Sequence, residues 1–87
     1  MTEDEDSMRL VVSGRTHAMV TSDMPGFPVP RRTVFGRYDY GQIPKVVVDP
    51  VIDRLCDIAA QMPRVPRSLR NEIATLRALR HYDRRIL

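Results

Sequence analysis

Cysteine, histidine and tryptophan are scarce in this chain of 87 residues, which has one cysteine, two histidines and no tryptophan. Cys56 has no second cysteine to pair with, so the fold does not depend on an internal disulfide. The sequence also lacks Cys-x-x-Cys, His-Glu-x-x-His and the glycine-rich phosphate loop that ends in Gly-Lys-Ser/Thr. It therefore carries none of the short motifs typical of thiol redox centres, zinc sites or nucleotide-binding loops.

Long apolar runs are missing as well. The longest aliphatic run is Val46-Val47-Val48, whereas about 20 apolar residues are needed to span a bilayer. Residues 1–6 contain four acids and no base, which is the reverse of the basic start of a secretory signal. We therefore expect a cytoplasmic protein that does not contact a membrane.

The few residues with reactive side chains indicate binding rather than catalysis. Cys56 falls on the apolar face of a predicted helix and is interpreted as a core residue, and His17 is interpreted as a structural residue of a predicted strand. Asp53 and Asp57 share one helical face near the helix start, which favours a solvated pair over a cation site. We expect no enzymatic activity, no cofactor and no metal site.

A chain of this length forms one domain with a thin margin of stability, because it buries only about 60% of its unfolded surface. The sequence predicts an acidic flexible tail at residues 1–7 and a single small α+β domain at residues 8–87. Docking onto a partner, including a second copy in a homodimer, would add to this margin.

The N-terminal half of the domain has the short apolar runs and turn signals of an antiparallel sheet. Ser13-Gly14 and residues 39–42 are turn sequences, and three prolines within residues 23–30 predict an extended loop. The predicted strands span residues 9–13, 15–22, 33–38 and 43–48.

After residue 48 the apolar period changes to that of a helix. Asp49-Pro50 is a typical helix start, Pro63 ends that helix, and Ser68 can cap a second one. The predicted helices span residues 50–62 and 68–84. The predicted fold class is α+β, a small antiparallel β-sheet of about four short strands followed by two amphipathic α-helices.

Positive charge is concentrated in the last predicted helix. Residues 7–87 hold 14 basic and seven acidic residues, and 13 of the basic residues are arginine. Arg70, Arg77 and Arg84 are seven residues apart, so they lie within a helical strip about 40° wide, flanked by Arg80 and His81. This arginine ridge can bind a phosphate backbone or an acidic protein surface. A solvated face of an arginine-rich protein is the alternative interpretation.

A second basic segment, residues 31–40, interleaves arginine with aromatic residues. Such a pattern can stack on bases and contact phosphates, or it can form a protein-binding surface. As a strand it would place Phe35 and Arg37 on one face and Val34 and Tyr38 on the other. Its candidate partner-binding residues are Arg31, Arg32, Phe35, Arg37, Tyr38 and Tyr40.

The order of predicted elements from Lys45 to Tyr82 is strand, Asp-Pro, helix, short connector and serine-capped helix. This order resembles the ribbon-helix-helix DNA-binding fold and covers less than half of the chain. The resemblance implies a dimer whose paired strands enter the major groove, with alternate residues of 45–49 facing the bases.

These patterns lead to two functional hypotheses. The first is a small non-enzymatic regulator or inhibitor that binds a protein partner with an acidic surface, of a kind that occurs in phage and mobile elements. The alternative is a nucleic-acid-binding module that uses the arginine ridge, with a ribbon-helix-helix transcriptional regulator as its special case.

Overall fold

The computed structural model describes residues 7–82, which form a three-stranded antiparallel sheet covered by α-helices. The predicted α+β class is confirmed, with three strands in this part of the chain rather than about four. A single 3₁₀ turn, Lys45–Val47, leads directly into the second α-helix. The elements are β1 (Ser7–Val12), α1 (Thr16–Ser22), β2 (Arg31–Arg32), β3 (Tyr38–Pro44), α2 (Val48–Ala60) and α3 (Arg67–Tyr82).

The sheet has the order β1-β3-β2, and its two faces follow from the alternation of side chains along β1. Arg9 and Val11 point away from the helices, and Arg9 donates a 2.7 Å hydrogen bond to Asp39 on β3. The opposite face joins the apolar sides of the helices in one core. The buried hydrophobic residues of this core are Met8, Leu10, Val12, Val20, Tyr40, Ile43, Val48, Val51, Ile52, Leu55, Leu69, Ile73 and Leu76.

A β-bulge interrupts the pairing of β1 with β3. Leu10 pairs with Gly41 and Val11 pairs with Asp39, so Tyr40 is the extra residue and its side chain enters the core. Gly41 has a φ of 76°, and its N–H donates to Asp39 Oδ1 at 2.9 Å. The turn predicted at residues 39–42 is therefore wrong, because the Asp-Gly signal forms a bulge inside a strand rather than a reversal.

The strand predicted at residues 15–22 is also wrong, because Thr16–Ser22 is a helix. Its buried side chains are His17, Val20 and Thr21, which have helical spacing of three and four residues. The Thr21 hydroxyl donates to the carbonyl of Ala18, a contact between residues one helical turn apart. The β-branched residues of this segment favour a strand only weakly, and tertiary contacts outweigh that preference.

Of the strand predicted at residues 43–48, only the first two residues are in a strand. β3 ends at Pro44, and the following residues enter the 3₁₀ turn and then α2, which begins at Val48 rather than at Pro50. Pro50 is tolerated in the first turn of α2 because the first N–H groups of a helix have no helical partner. The ribbon-helix-helix resemblance requires a strand at residues 45–49, and these residues are helical instead. α3 begins at Arg67, so Ser68 lies inside the helix rather than capping it.

We predict that Met19, whose side chain is 67% exposed in the middle of α1, reports the conformation of this segment. Met19→Ala should be more stable than Met19→Val by about 0.5 kcal/mol, because alanine is favoured over valine in helices. Urea unfolding of the two variants measures the difference. As a control, Arg9→Val should be more stable than Arg9→Ala, since β1 is a strand. A higher stability of Met19→Val than of Met19→Ala would contradict the helix.

Candidate functional site

The β2–β3 hairpin, residues 31–38, is an ordered turn rather than the continuous strand predicted at residues 33–38. The N–H of Thr33 donates to the carbonyl of Arg37 at 2.8 Å, and the N–H of Gly36 donates to the carbonyl of Thr33 at 3.0 Å. The Thr33 hydroxyl accepts hydrogen bonds from the N–H groups of Phe35 and Arg37. Gly36 has a φ of 81°, which glycine adopts without strain. These contacts hold the tip of the hairpin in one conformation.

The tip of this hairpin presents two apolar side chains to solvent. Val34 is 93% exposed and Phe35 is 85% exposed. Both lie in the turn, so the predicted division of residues 34–38 between two strand faces does not occur. Adjacent apolar residues at such exposure are unusual on a monomer unless they contact a partner.

Three of the predicted binding residues surround the tip with positive charge. Arg31, Arg32 and Arg37 are all exposed. The guanidinium of Arg32 lies over the ring of Tyr38 at 5.2 Å, a cation–π contact that leaves its N–H groups available. The hydrogen bond from Arg9, aided by the charge of Arg31, holds the pKa of Asp39 below its ordinary value.

A second arrangement of polar groups lies inside the core, where Glu72 of α3 meets the start of α1. Glu72 is 4% exposed, and its Oε2 accepts a 3.0 Å hydrogen bond from the N–H of Thr16. The side chain packs directly under Gly14 of the β1–α1 turn, where a Cβ would overlap the carboxylate. Gly14 has a φ of 98°. Glycine is therefore required at residue 14 for both space and backbone conformation.

His17 extends this arrangement into a buried polar network. Its Nε2 lies 3.9 Å from Glu72 Oε2, and its Nδ1 lies 2.9 Å from the hydroxyl of Tyr40. That hydroxyl is also 3.0 Å from the hydroxyl of Thr21. His17 Nε2 and Glu72 Oε1 are buried without a hydrogen-bond partner among residues 7–82. The network thus joins α1, β3 and α3 through the N–H of Thr16 and the side chains of His17, Tyr40 and Glu72.

Burial moves His17 and Glu72, two of the ionisable groups of this network, toward their neutral forms. It lowers the pKa of His17 below 6.5, although nearby carbonyls of residues 12–14 oppose the shift. It raises the pKa of Glu72 above 4.5, although the N–H groups of residues 15–17 oppose that shift. Because desolvation outweighs their mutual attraction, the two groups do not behave as an ordinary salt bridge.

Two of the predicted partner-binding residues have other roles in the structure. Tyr40 is buried, its hydroxyl contacts His17 and Thr21, and its ring meets Phe27 edge-on at 5.5 Å. It is a core residue and does not form part of an exposed surface. Tyr38 is half-buried against the ring of His17 at 5.2 Å, so only part of it is accessible beside Arg32.

The arginine ridge is smaller in the structure than in the sequence pattern. Arg70, Arg77 and His81 are exposed on α3, whereas Arg84 lies outside the described residues. Arg80 is occupied by Asp49 of α2, with Nε to Oδ1 at 3.0 Å and Nη2 to Oδ2 at 3.3 Å. Arg77 donates to the sulfur of Cys56 at 3.5 Å. Arg77 and Arg80 therefore both contact side chains of α2.

Sequence analysis did not single out Glu72 at all, and it placed His17 in a strand. One signal was present: Glu72 is three residues after Leu69 and four before Leu76, which puts it on the buried stripe of α3. An acid in such a stripe needs a partner from another element. Its partners, Thr16 and His17, are 56 and 55 residues away in sequence, so spacing could not reveal them.

Comparison of the chain with protein-family models, with curated proteins and with solved structures finds no significant match. Within residues 7–82, no helix combines the length and the apolar content that a membrane crossing requires. The same part of the chain contains no group of three histidine, cysteine or acidic side chains suited to a metal ion.

We predict that Gly14→Ala destabilises the protein by about 3 kcal/mol, because it combines an unfavourable φ with overlap on Glu72. Gly26→Ala is the matched control, since residue 26 has a similar φ of 80° and nothing within 4 Å of the added methyl. Its loss should be about 1 kcal/mol, from the backbone alone. Equal losses in thermal or urea unfolding would show that Glu72 does not require glycine at residue 14.

Glu72→Gln should change the dependence of stability on pH. Because the folded pKa of Glu72 is raised, the wild type loses stability as pH rises from about 4.5 through that pKa. Glutamine cannot ionise, so the free energy of unfolding of the variant relative to the wild type should increase over this range. His17, with its lowered pKa, also makes both proteins lose stability as pH falls below about 6.5. Urea unfolding at pH 4, 6 and 8 tests the difference, and a constant difference would contradict the raised pKa.

Proposed function

We propose that this protein is a non-enzymatic binding protein that inserts the tip of its β2–β3 hairpin into an apolar pocket of another protein. The observation that carries the proposal is the exposure of Val34 and Phe35, at 93% and 85%, on a turn fixed by its own hydrogen bonds. Occupying a partner's pocket in this way would make the protein a regulator or inhibitor of that partner.

The turn is suited to binding because it loses little conformational freedom when a partner covers it. The Thr33 hydroxyl already holds the N–H groups of Phe35 and Arg37, so the backbone is ordered before contact. Burying a phenylalanine side chain contributes roughly 1.5–3 kcal/mol of transfer free energy. Phe35 is therefore the expected centre of the interface, with Val34 beside it.

The charges around the tip favour a partner with an acidic rim. Arg31, Arg32 and Arg37 are exposed, and arginine binds carboxylates through paired N–H groups. Among these three, Arg31 faces Asp39 across the sheet, which offsets part of its charge. Arg32 and Arg37 are thus the arginines best placed to bind the carboxylates of a partner.

Arginine and phenylalanine also bind nucleic acids, in which a base stacks on the ring and phosphates contact the guanidinium groups. Val34 favours a protein partner instead, because its side chain has no aromatic face on which a base could stack. On α3, Arg80 is neutralised by Asp49, which reduces the charge available for a phosphate backbone. We therefore propose a protein target, and nucleic acid is a distinct outcome of the test.

The proposal is tested by replacing Phe35 with a photo-crosslinking phenylalanine analogue and irradiating the protein in a nuclease-treated lysate of its native cell. A defined protein should be crosslinked from residue 35. Crosslinking from residue 54 on α2, where Arg54 is also exposed, is the control and should not capture it. Crosslinking of residue 35 to nucleic acid in untreated lysate, or only to a second copy of the chain, would overturn the proposed partner class.

Binding of the captured partner should then depend on the tip and its charges. Phe35→Ala should weaken binding about 30-fold or more, the effect expected of a central interface residue. Arg37→Glu should also weaken binding at low salt, whereas Arg54→Glu should change the affinity little. Titration calorimetry on the purified pair provides the constants. Unchanged affinity for Phe35→Ala would eliminate the hairpin as the binding element.

A further inference from the structure

We infer that the outer edge of β1 pairs with the β1 strand of a second copy of this chain. β1 is the first strand in the order β1-β3-β2, and within residues 7–82 it pairs with β3 alone. A strand at the edge of a sheet has unpaired backbone N–H and C=O groups along its outer side, and these groups can pair with another strand. The edge is six residues long, from Ser7 to Val12.

The register with β3 identifies the backbone groups that point outward. Ser7 lies opposite Pro44, which has no N–H, so these two residues form a non-hydrogen-bonded pair of the ladder. The hydrogen-bonding side alternates along a strand, and the extra residue of the bulge belongs to β3 rather than to β1. The N–H and C=O groups of Ser7, Arg9 and Val11 therefore point away from β3. Those of Arg9 and Val11 make no other backbone hydrogen bond within residues 7–82.

Two copies of this edge are complementary to each other. In antiparallel pairing about a two-fold axis, residues whose backbone groups point outward lie opposite each other, so odd residues of one copy pair with odd residues of the second. Met8, Leu10 and Val12 keep their side chains in the core of their own copy. The side chain of Arg9 is exposed on the other face of the sheet, where the charges of the two copies meet.

Charge selects the register of this pairing. Pairing centred on Arg9 would place the guanidinium groups of the two copies directly opposite each other, which is unfavourable. The residues that precede β1, residues 3–6, are all acidic. Pairing centred on Ser7 places Arg9 of each copy opposite Glu5 of the other, and no other register centred on a residue of β1 brings Arg9 opposite an acid. In the dimer, residues 3–6 continue β1 along the second copy.

The overall charge distribution also favours a second copy as the occupant of this edge. Residues 1–6 contain four acids and no base, whereas residues 7–87 hold 14 basic and seven acidic residues. The acidic segment of each copy is therefore attracted to the basic body of the other. β2 lies at the opposite edge of the sheet, so a dimer through β1 leaves both hairpin tips accessible. The inference does not rest on the proposed protein partner.

Sedimentation equilibrium of the full chain tests the inference. We expect a monomer–dimer equilibrium with a dissociation constant on the order of 10 µM, because an interface between two edge strands is small. Glu5→Lys should weaken dimerisation about tenfold, since two opposite-charge pairs become like-charge pairs. Asp4→Lys is the matched control, because it changes the net charge equally at a residue of the other strand face, and its effect should be much smaller. A monomer at all concentrations up to about 0.5 mM, or equal effects of the two variants, would refute the pairing.

A disulfide across the two-fold axis reports the register independently. In a Cys56→Ala background, Ser7→Cys should form a covalent dimer on mild oxidation, because the Cα atoms of a hydrogen-bonded antiparallel pair are about 5.5 Å apart, within the range of a disulfide. Val11→Cys is the control, since its two copies would lie about 26 Å apart along the paired strands. No covalent dimer from Ser7→Cys, or an equal yield from Val11→Cys, would overturn the pairing centred on Ser7.

Discussion

The buried carboxylate of Glu72 is the constraint on which the arrangement of this small domain depends. It receives the N–H of Thr16 at the start of α1 and requires glycine at residue 14, so it fixes how the chain turns from β1 into a helix. Through His17 it reaches Tyr40, whose side chain is turned into the core by the bulge in β3. One acidic side chain on α3 thereby sets the relative positions of a turn, a helix and a strand.

The central strand β3 connects this interior network with the exposed hairpin. Tyr40 lies in the network, while two residues earlier Tyr38 contacts both the ring of His17 and the guanidinium of Arg32. The hairpin therefore extends from a strand whose base is held by buried polar contacts. A rigid base and a turn ordered by Thr33 together present Val34 and Phe35 in a defined direction. Such preorganisation lowers the entropic cost of binding a partner.

The sequence was sufficient for the α+β class and for α2 and α3, because the apolar periodicity of those helices is local and strong. It was insufficient for α1, since the residues that determine the start of that helix lie on α3, more than 50 residues away. The turn predicted at residues 39–42 was wrong, because a bulge and a turn share the same residue preferences and Asp39-Tyr40-Gly41 forms a bulge inside β3. For the candidate sites, Phe35 and its arginines were predicted as binding residues from the interleaving of basic and aromatic residues, whereas Glu72 and His17 depended on a contact that no spacing reveals.

The central claim is that burial, not ion pairing, governs Glu72 and His17, and their individual titrations test it most directly. NMR can follow the carboxyl carbon of Glu72 and the ring nitrogens of His17 across pH in the native protein. Our interpretation predicts a midpoint above 4.5 for Glu72 and below 6.5 for His17. The opposite pattern, with Glu72 titrating below 4.5 and His17 above 6.5, is that of a conventional salt bridge and would contradict it.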